Sequence, residues 1–249
     1  MSKSILILGG TFEGAALAHA IAQHRAELFV TLALAGATST PPEDTPAHLH
    51  VGAFESADAL ADYIRMRHIA AVIDATHPFA AEITKHAVTA CDREKIPYLR
   101  FDRPQWTLPP DTDVVYVPDA EEAARLVART SGGAFLTIGR KALAHFANLG
   151  DVKLVARTID APDAIAGLEN CVFIQGRPPF SVDDEEALMR RHGIDTLVSK
   201  ASGGDLTRAK IDAAARVGAR IVLIRRPPPP DADIARSLDD AMGWLYVHV

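Results

Sequence analysis

The chain alternates between short apolar runs rich in β-branched residues and longer alanine-rich runs with helical periodicity. Residues 5–8 and 71–75 are typical of buried strands, whereas residues 13–24 and 80–93 place their apolar side chains on one helical face. Strands that alternate with helices favour βαβ units, whose strands run parallel and whose right-handed crossovers place helices on both faces of the sheet. The pattern therefore predicts an α/β protein.

The first strand and the first helix are joined by Gly9-Gly10-Thr11-Phe12-Glu13-Gly14. Gly9 and Gly14 correspond to the outer glycines of a G-x-G-x-x-G fingerprint, with Thr11 in place of the middle one. Glycines let backbone N–H groups approach a phosphate, and the helix N-terminus adds partial positive charge. The junction predicts a dinucleotide site formed by Gly9, Gly10, Thr11, Glu13 and Gly14, in which the Thr11 hydroxyl donates to the pyrophosphate. The alternative is a purely structural turn.

A proline-rich segment at 104–113 interrupts the alternation, and a second α/β series follows it. We expect two Rossmann-like lobes with mostly parallel sheets flanked by helices and a ligand cleft between them. The nucleotide-binding lobe is predicted at 1–103, the linker at 104–113, and the C-terminal lobe at 114–249, including a terminal helix at about 233–245.

The two lobes show weak internal similarity. The run 5–8 followed by Gly9 resembles the run 135–138 followed by Gly139, and a similar spacing separates residues 73–76 from Arg103 and residues 197–200 from Arg226. This spacing predicts two lobes of similar build.

The second strand is followed by a segment without a carboxylate before Glu43. NAD enzymes usually place Asp or Glu here to bind the ribose 2′-hydroxyl, and its absence removes the repulsion against a 2′-phosphate. Thr38 and Ser39 offer hydroxyl donors instead. The segment therefore favours NADPH over NADH.

Polar residues follow other strands directly, at the edge of the sheet where open α/β proteins bind ligands. Thr76 and His77 are expected to contact the cofactor, and Asp74 or Thr76 to cap the next helix. In the second lobe, Lys200 precedes a glycine segment that resembles an anion-binding nest. Its residues Ser202, Gly203 and Gly204 are predicted to bind the cofactor, and His77 and Lys200 are the candidate catalytic proton donors.

Basic residues at the strand ends suit a substrate that carries several carboxylates, because arginine holds each by paired hydrogen bonds. Solvated lysines on a plain glycine turn are the alternative. Arg100 and Arg226 are expected in the same basic wall, whereas the acidic run 183–186 is explained by helix capping. The predicted substrate-binding residues are Arg103, Arg140, Lys141, Arg177, Lys200 and Lys210.

The net charge of −6 argues against general nucleic-acid binding, which needs a basic surface. The chain has no apolar run of about 18 residues, which a membrane-spanning helix needs. The first residues do not lead into a signal peptide, so we expect a cytoplasmic protein. Cys91 and Cys171 lack metal-ligand spacing, and no metal is expected.

Together these motifs resemble the precorrin-6A reductase family of cobalamin biosynthesis. The resemblance rests on GGT-x-E-G at 9–14, DATHPFA at 74–80, IPYLR-x-x-RP-x-W at 96–106, TIGRK at 137–141 and SK-x-SGG at 199–204. Two departures are extra residues in the segment 175–180 and Ala201, which stands where the family often has a polar residue.

The resemblance implies an NADPH-dependent oxidoreductase that reduces the C18–C19 double bond of a ring-contracted tetrapyrrole, precorrin-6A, to give precorrin-6B. It also implies a Rossmann-like fold without metal or flavin, and a possible handover of product to neighbouring pathway enzymes. The sequence leaves open whether the substrate contains cobalt, and it leaves the oligomeric state open. The remaining alternatives are a nucleotide-independent tetrapyrrole lyase and a non-enzymatic NADPH-sensing module.

Overall fold

The computed structural model describes residues 3–35, 44–130, 132–159 and 165–249. The chain divides into two compact units. The first unit comprises Met1–Pro104 together with Pro227–Val249, and the second comprises Gln105–Arg226. The chain therefore passes from the first unit to the second and back again.

The first part of the chain contains β1 (Ser4–Leu8), α1 (Phe12–His24), β2 (Phe29–Leu34), β3 (His48–Val51), α2 (Ala57–Met66), β4 (Ile69–Asp74), α3 (Ala81–Glu94) and β5 (Tyr98–Phe101). The second unit contains β6 (Val114–Val117), α4 (Ala120–Val127), β7 (Gly133–Thr137), α5 (Arg140–Leu143), β8 (Lys153–Thr158), β9 (Val172–Gln175), α6 (Val182–His192), β10 (Ile194–Lys200), α7 (Ala209–Val217) and β11 (Arg220–Ile224). The chain returns to the first unit with β12 (Asp233–Ala235) and α8 (Leu238–His248).

Each unit is built on a parallel six-stranded sheet, which confirms the predicted α/β fold class. The first sheet has the order β12-β5-β4-β1-β2-β3, and the second has the order β6-β11-β10-β7-β8-β9. Both follow the 3-2-1-4-5-6 arrangement of the Rossmann fold. In the first sheet the sixth place is filled by β12, which comes after the second unit in the chain. In the second sheet it is filled by β6, which precedes the other strands of that sheet.

The prediction that residues 114–249 form one lobe with the terminal helix is wrong. β12 pairs with β5, so that Ile234 lies opposite Arg100, and Leu245 of α8 is buried in the same core as Leu17 of α1. The sequence did not separate the two possibilities, because an apolar helical stripe can cover any open face of a sheet. The first residues assigned to that helix form β12 instead, since a capping box between Ser237 and Asp240 starts α8 at Leu238.

The segment predicted as a linker contributes to the second unit. Trp106 and Leu108 pack in its core with Leu197 of β10. Their burial explains why the division of the chain lies between Pro104 and Gln105.

The predicted similarity of the two lobes is confirmed, but the sequence match is displaced by one residue. Leu6 shares its core with α2 and α3, and Phe135 shares its core with α6 and α7. Leu6 therefore corresponds to Phe135, whereas the sequence comparison had aligned Ile5 with Phe135. A shift of one residue exchanges the two faces of a strand, and with the corrected register Gly10 corresponds to Gly139.

Candidate functional site

The junction between β1 and α1 brings the backbone of the loop unusually close to its neighbours. A Cβ on Gly9 would lie 2.5 Å from Leu32 Cδ1, and one on Gly14 would lie 3.2 Å from the Cα of Gly9. Gly10 has a φ of 91°, which favours glycine. Each glycine thus has a steric reason, and the tight turn places the start of α1 at the carboxyl end of β1.

Thr11 is the N-cap of α1. Its Oγ1 accepts a hydrogen bond from the N–H of Gly14 at 3.2 Å and donates to the carbonyl oxygen of Ala75 at 2.6 Å. The prediction that this hydroxyl donates to a phosphate disagrees with the geometry, because its one hydrogen is already donated. The donors that the junction can present are the other first-turn N–H groups, which have no intrahelical acceptor in any α-helix; that of Gly14 is already bonded to Thr11.

Glu13, in the first turn of α1, pairs with Arg103. The arginine Nη1 lies 3.1 Å and 3.0 Å from the two carboxylate oxygens. Glu13 was predicted to contact a cofactor and Arg103 a substrate, and the structure joins them to each other. Since a carboxylate alone would repel a phosphate at this helix end, the pairing with Arg103 balances the charge there.

A buried carboxylate, Asp74, ends β4 and organises the neighbouring loop. It is fully buried and accepts hydrogen bonds from Thr76 N at 3.0 Å, Thr76 Oγ1 at 2.6 Å, Thr84 Oγ1 at 2.6 Å and Tyr98 OH at 3.0 Å. Arg100 completes the set with an ion pair at 2.8 Å. Burial and the charge of Asp74 raise the pKa of the Tyr98 phenol, so this hydroxyl remains a donor.

The expectation that Asp74 or Thr76 caps the next helix is wrong. α3 begins at Ala81, and its N-cap residue Ala80 makes no side-chain capping bond. Arg100 was expected in a basic substrate wall, but it is buried and donates to Asp74 O at 3.3 Å, Thr76 Oγ1 at 3.1 Å and Thr76 O at 3.0 Å. The Thr76 hydroxyl is accordingly engaged by both partners. These bonds fix the backbone immediately before His77.

His77 is half-buried at the carboxyl end of β4, which neighbours β1 in the sheet. The N–H of Phe79 lies 3.2 Å from His77 Nδ1 and donates to it. A ring nitrogen that accepts this bond carries no proton, so the proton of the neutral ring is on Nε2. The loop therefore holds His77 as an Nε2–H donor.

The corresponding junction of the second unit is built differently. Gly139 has a positive φ of 81°, close to the 91° of Gly10, but α5 has only four residues and carries the exposed Arg140 and Lys141. Lys200 is half-buried at the end of β10, with its Nζ 4.0 Å from the position of a Cβ on Gly139. Burial and the nearby charge of Lys141 lower the pKa of Lys200. The structure thus brings three of the predicted basic residues to one sheet edge.

The glycine segment after β10 has the backbone of a nest. Gly203 and Gly204 have φ angles of 62° and 76°, and Ser202 before them is buried. Trp106 Nε1 donates to the Gly204 carbonyl oxygen at 2.7 Å and anchors this turn. The predicted turn geometry is present, and contact with a cofactor stays a prediction.

Two predicted basic contacts serve the second unit internally. Lys210 is buried, and its Nζ lies 5.3 Å from the centre of the Trp106 ring; its predicted contact with a substrate stays a prediction. Arg226 donates to the carbonyl oxygens of Ala201 at 2.8 Å and Ser202 at 2.9 Å. Arg226 therefore holds the turn after β10 in place, and Lys210 packs on Trp106, which anchors the same turn.

Arg177 is exposed in the segment between β9 and α6. Its predicted role in substrate binding stays a prediction. Thr38 and Ser39 lie outside the described residues.

Sequence reasoning missed a second buried ion pair, between Arg157 of β8 and Glu185 of α6. Glu185 belongs to the acidic run that was explained by capping alone, yet it is 1% exposed. A signal was present, because Arg157 follows three apolar strand residues and a charge at that place requires a partner.

No helix in the described parts of the chain is long and apolar enough to cross a membrane. Among the same residues, no group of three or more His, Cys, Asp or Glu side chains is arranged to hold a metal ion.

Comparison with known proteins identifies the family. The family described as Precorrin-6x reductase CbiJ/CobK matches residues 4–246. The chain belongs to this family. It is 41% identical to the precorrin-6A reductase of Rhodococcus erythropolis, over 97% of this chain and 96% of that protein. It is 32% identical to the cobalt-precorrin-6A reductase of Priestia megaterium, over 90% of each chain.

A solved structure of CobK precorrin-6A reductase has the same fold, with a TM-score of 0.90 and 33% sequence identity over 99% of this chain and 97% of that one. The resemblance seen in the sequence motifs is thereby confirmed. The members are reductases, and a reductase of this kind requires a nicotinamide cofactor.

Proposed function

We propose that this protein reduces one double bond of precorrin-6A with NADPH and releases precorrin-6B. The family and the names of the relatives support the substrate. The observation that carries the proposal is the junction between β1 and α1, a glycine turn on the first strand of a 3-2-1-4-5-6 sheet. That is the place where Rossmann folds bind the pyrophosphate of a dinucleotide.

The residues of the first unit fit such a cofactor. A Cβ on Gly9 or Gly14 would occupy space that the turn needs, and the N–H groups at the start of α1 have no intrahelical acceptor. The charge of Glu13 is balanced by Arg103. No carboxylate stands in the sequence between Leu34 and Glu43, which supports NADPH over NADH.

The second unit offers side-chain cations where the first offers backbone donors. Arg140, Lys141 and Lys200 lie at the carboxyl edge of its sheet, and α5 is too short for a strong helix dipole. We assign this edge to the acetate and propionate groups of the tetrapyrrole, since charge-assisted hydrogen bonds hold carboxylates best. Arg177 joins this set from the segment after β9.

When bound, the nicotinamide supplies a hydride, and the reduced double bond gains that hydride on one carbon and a proton on its neighbour. Lys200 provides the proton in this proposal, because its lowered pKa makes its ammonium a stronger acid than that of an ordinary lysine. His77 lies at the carboxyl end of β4 with the proton of its neutral ring on Nε2, and in this proposal it orients a bound carbonyl group. Neither role requires a metal.

The proposal is tested by mixing the protein with NADPH and then with precorrin-6A, following nicotinamide absorbance. We expect binding of NADPH alone and its oxidation only after the tetrapyrrole is added. Binding without oxidation would identify a sensor, and conversion of precorrin-6A without NADPH would identify a lyase. Repeating the assay with cobalt-precorrin-6A and comparing kcat/KM decides between the two substrates.

The proton source is tested with Lys200→Met and His77→Gln. We expect Lys200→Met to lower kcat by about a hundredfold, the usual scale of a lost general acid. His77→Gln keeps a side-chain N–H donor and is expected to retain most activity. Equal kcat values in Lys200→Met and the wild-type protein would remove Lys200 as the proton donor.

A further inference from the structure

The ion pair between Arg157 and Glu185 lies at a place that is apolar in the first unit. Since Leu6 pairs with Thr31 and Phe135 pairs with Val155, Arg157 of β8 corresponds to Ala33 of β2, two residues further along each strand. Glu185 lies four residues after the serine cap of α6 and corresponds to Leu60, four residues after the serine cap of α2. The same helix–strand contact is therefore hydrophobic in one unit and ionic in the other.

Stability alone does not account for this exchange. A well-packed apolar pair is as stabilising as a buried ion pair or more so, because two charges must be taken out of water. The pair is also incompletely satisfied, since Arg157 Nε and Glu185 Oε2 are buried without a hydrogen-bond partner in the described part of the chain. Such an arrangement requires a benefit other than the free energy of folding.

The guanidinium of Arg157 stacks on the ring of Phe180. Its central carbon lies 3.9 Å from the centre of the Phe180 ring and 5.0 Å from that of Phe135. Glu185 holds the guanidinium from the helix side. A methionine or leucine could fill this space, but only a planar cation stacks on a ring by both dispersion and cation–π attraction.

Phe180 in turn closes a short segment of the chain. A Cβ on Gly176 would lie 3.0 Å from Phe180 Cε1, so the ring packs closely against the glycine backbone. Gly176 N donates to Thr158 O at 3.1 Å, and Ser181 caps α6 directly after Phe180. The segment 176–180 is thus fixed at both ends and over Arg157, and it carries the exposed Arg177.

We propose that Arg157 and Glu185 are positioning residues that fix the segment 176–180 so that Arg177 meets a carboxylate of the tetrapyrrole. This inference rests on the proposed function, and it deepens it by naming what sets the substrate-binding arginine. The pair acts through Phe180 and Arg177 and does not touch the substrate.

The double variant Arg157→Met/Glu185→Leu tests the proposal by giving the second unit the apolar contact of the first. We expect its Tm and its Kd for NADPH to match those of the wild-type protein. The KM for precorrin-6A should rise about tenfold at nearly constant kcat, the loss expected for one charge-assisted hydrogen bond. A stable double variant with an unchanged KM would overturn the proposal.

A double-mutant cycle that combines Arg157→Met/Glu185→Leu with Arg177→Ala shows whether the ion pair acts through Arg177. Arg177→Ala alone should raise KM by a similar factor, and adding it to the double variant should raise KM no further. Additive losses would show that the pair acts by another route and would overturn the proposal. If the double variant does not fold, Phe180→Leu replaces it, because it removes the stacked ring and leaves the ion pair intact.

Direct binding separates a failure of this inference from a failure of the proposed function. Binding of precorrin-6A without NADPH is followed by quenching of tryptophan fluorescence in the wild-type protein and in the double variant. Weaker binding by the double variant supports the positioning role even if no NADPH is oxidised. Equal binding contradicts that role even if the enzyme is active.

Discussion

The same junction, at the carboxyl end of the first Rossmann strand, carries a 13-residue helix in the first unit and a four-residue helix in the second. Gly10 and Gly139 bend the chain alike at this point. After that bend, α1 offers a capped row of backbone N–H groups, whereas α5 offers Arg140 and Lys141. In the proposed function, the strand order sets where a ligand binds, and the length of the following helix sets whether backbone or side chains hold it.

The two units also differ in how they fix the loop that follows the strand in the fourth place of each sheet, β4 in the first unit and β10 in the second. Asp74 in the first unit corresponds to Ser199 in the second, because Val72 and Leu197 occupy equivalent register positions. Asp74 holds its loop through a network of five polar contacts besides its own backbone. Ser199 donates only to the adjacent Lys200 carbonyl oxygen, at 3.2 Å, among the described contacts. The first unit therefore fixes its loop through a buried carboxylate, and the second through hydrogen bonds that Arg226 and Trp106 donate to backbone carbonyl oxygens.

The largest effect is expected from removing Asp74. Asp74→Ala removes the closer carboxylate partner of the buried Arg100 and leaves it Asp102, 3.7 Å away, which costs about 3–5 kcal/mol of unfolding free energy. The matched change Ser199→Ala should cost about 1 kcal/mol, the value of one neutral hydrogen bond. Calorimetry of both variants measures the difference, and equal losses would contradict the contrast between the two loops.

The next effect is on cofactor affinity. Gly10→Val places a branched side chain at a φ of 91° and in front of the first-turn N–H groups, so the Kd for NADPH should rise about a hundredfold. Gly139→Val carries a comparable backbone strain in the second unit and should leave that Kd unchanged, while it raises the KM for precorrin-6A through the nearby Lys200. Fluorescence titration measures both constants. A comparable loss of NADPH affinity in both variants would show that the second junction also holds the cofactor.

The smallest effect is a displacement along the pH axis. Burial and the charge of Lys141 lower the pKa of Lys200, and the ammonium form is the one that donates a proton. Lys141→Ala removes the second cause, so the pKa of Lys200 rises and the alkaline loss of kcat/KM moves to higher pH. The control is Lys153→Ala. Lys153 is the first residue of β8 and therefore lies at the opposite edge of the parallel sheet from Lys200, so its removal should not change the pH of this loss. If the alkaline fall of kcat/KM occurs at the same pH in Lys141→Ala as in the wild-type protein, Lys200 is excluded as the titrating group.

The sequence predicted most of the fold because each strand of a buried parallel sheet is a continuous apolar run between turn residues. It missed β3, whose residues His48–Val51 include two histidines, and β12, which is only three residues long. The position of α8 also escaped prediction, since the apolar stripe of a helix does not identify the sheet face that it covers. The glycine turn was found because its spacing is local.

The candidate site was harder to predict because its polar contacts join residues distant in sequence. Arg103 was assigned to a substrate, but its partner Glu13 lies 90 positions away. Lys210 and Arg100 were assigned to the substrate in the predictions and are buried in the structure. Charge type alone does not separate a ligand contact from an internal partner, and only the packing of Trp106 and Asp74 against these residues decides it.

The placement of β12 has a consequence for the order in which the protein is made. Asp233, the first residue of the partner strand β12, follows Phe101, the last residue of β5, by 132 positions (233 − 101). At roughly 5–20 residues per second, the β5 edge waits about 7–26 seconds with open hydrogen-bonding groups. The first unit is thus completed only after the second unit has been synthesised. A nascent chain halted inside the second unit exposes β5 as an unpaired edge strand, which can pair with another chain.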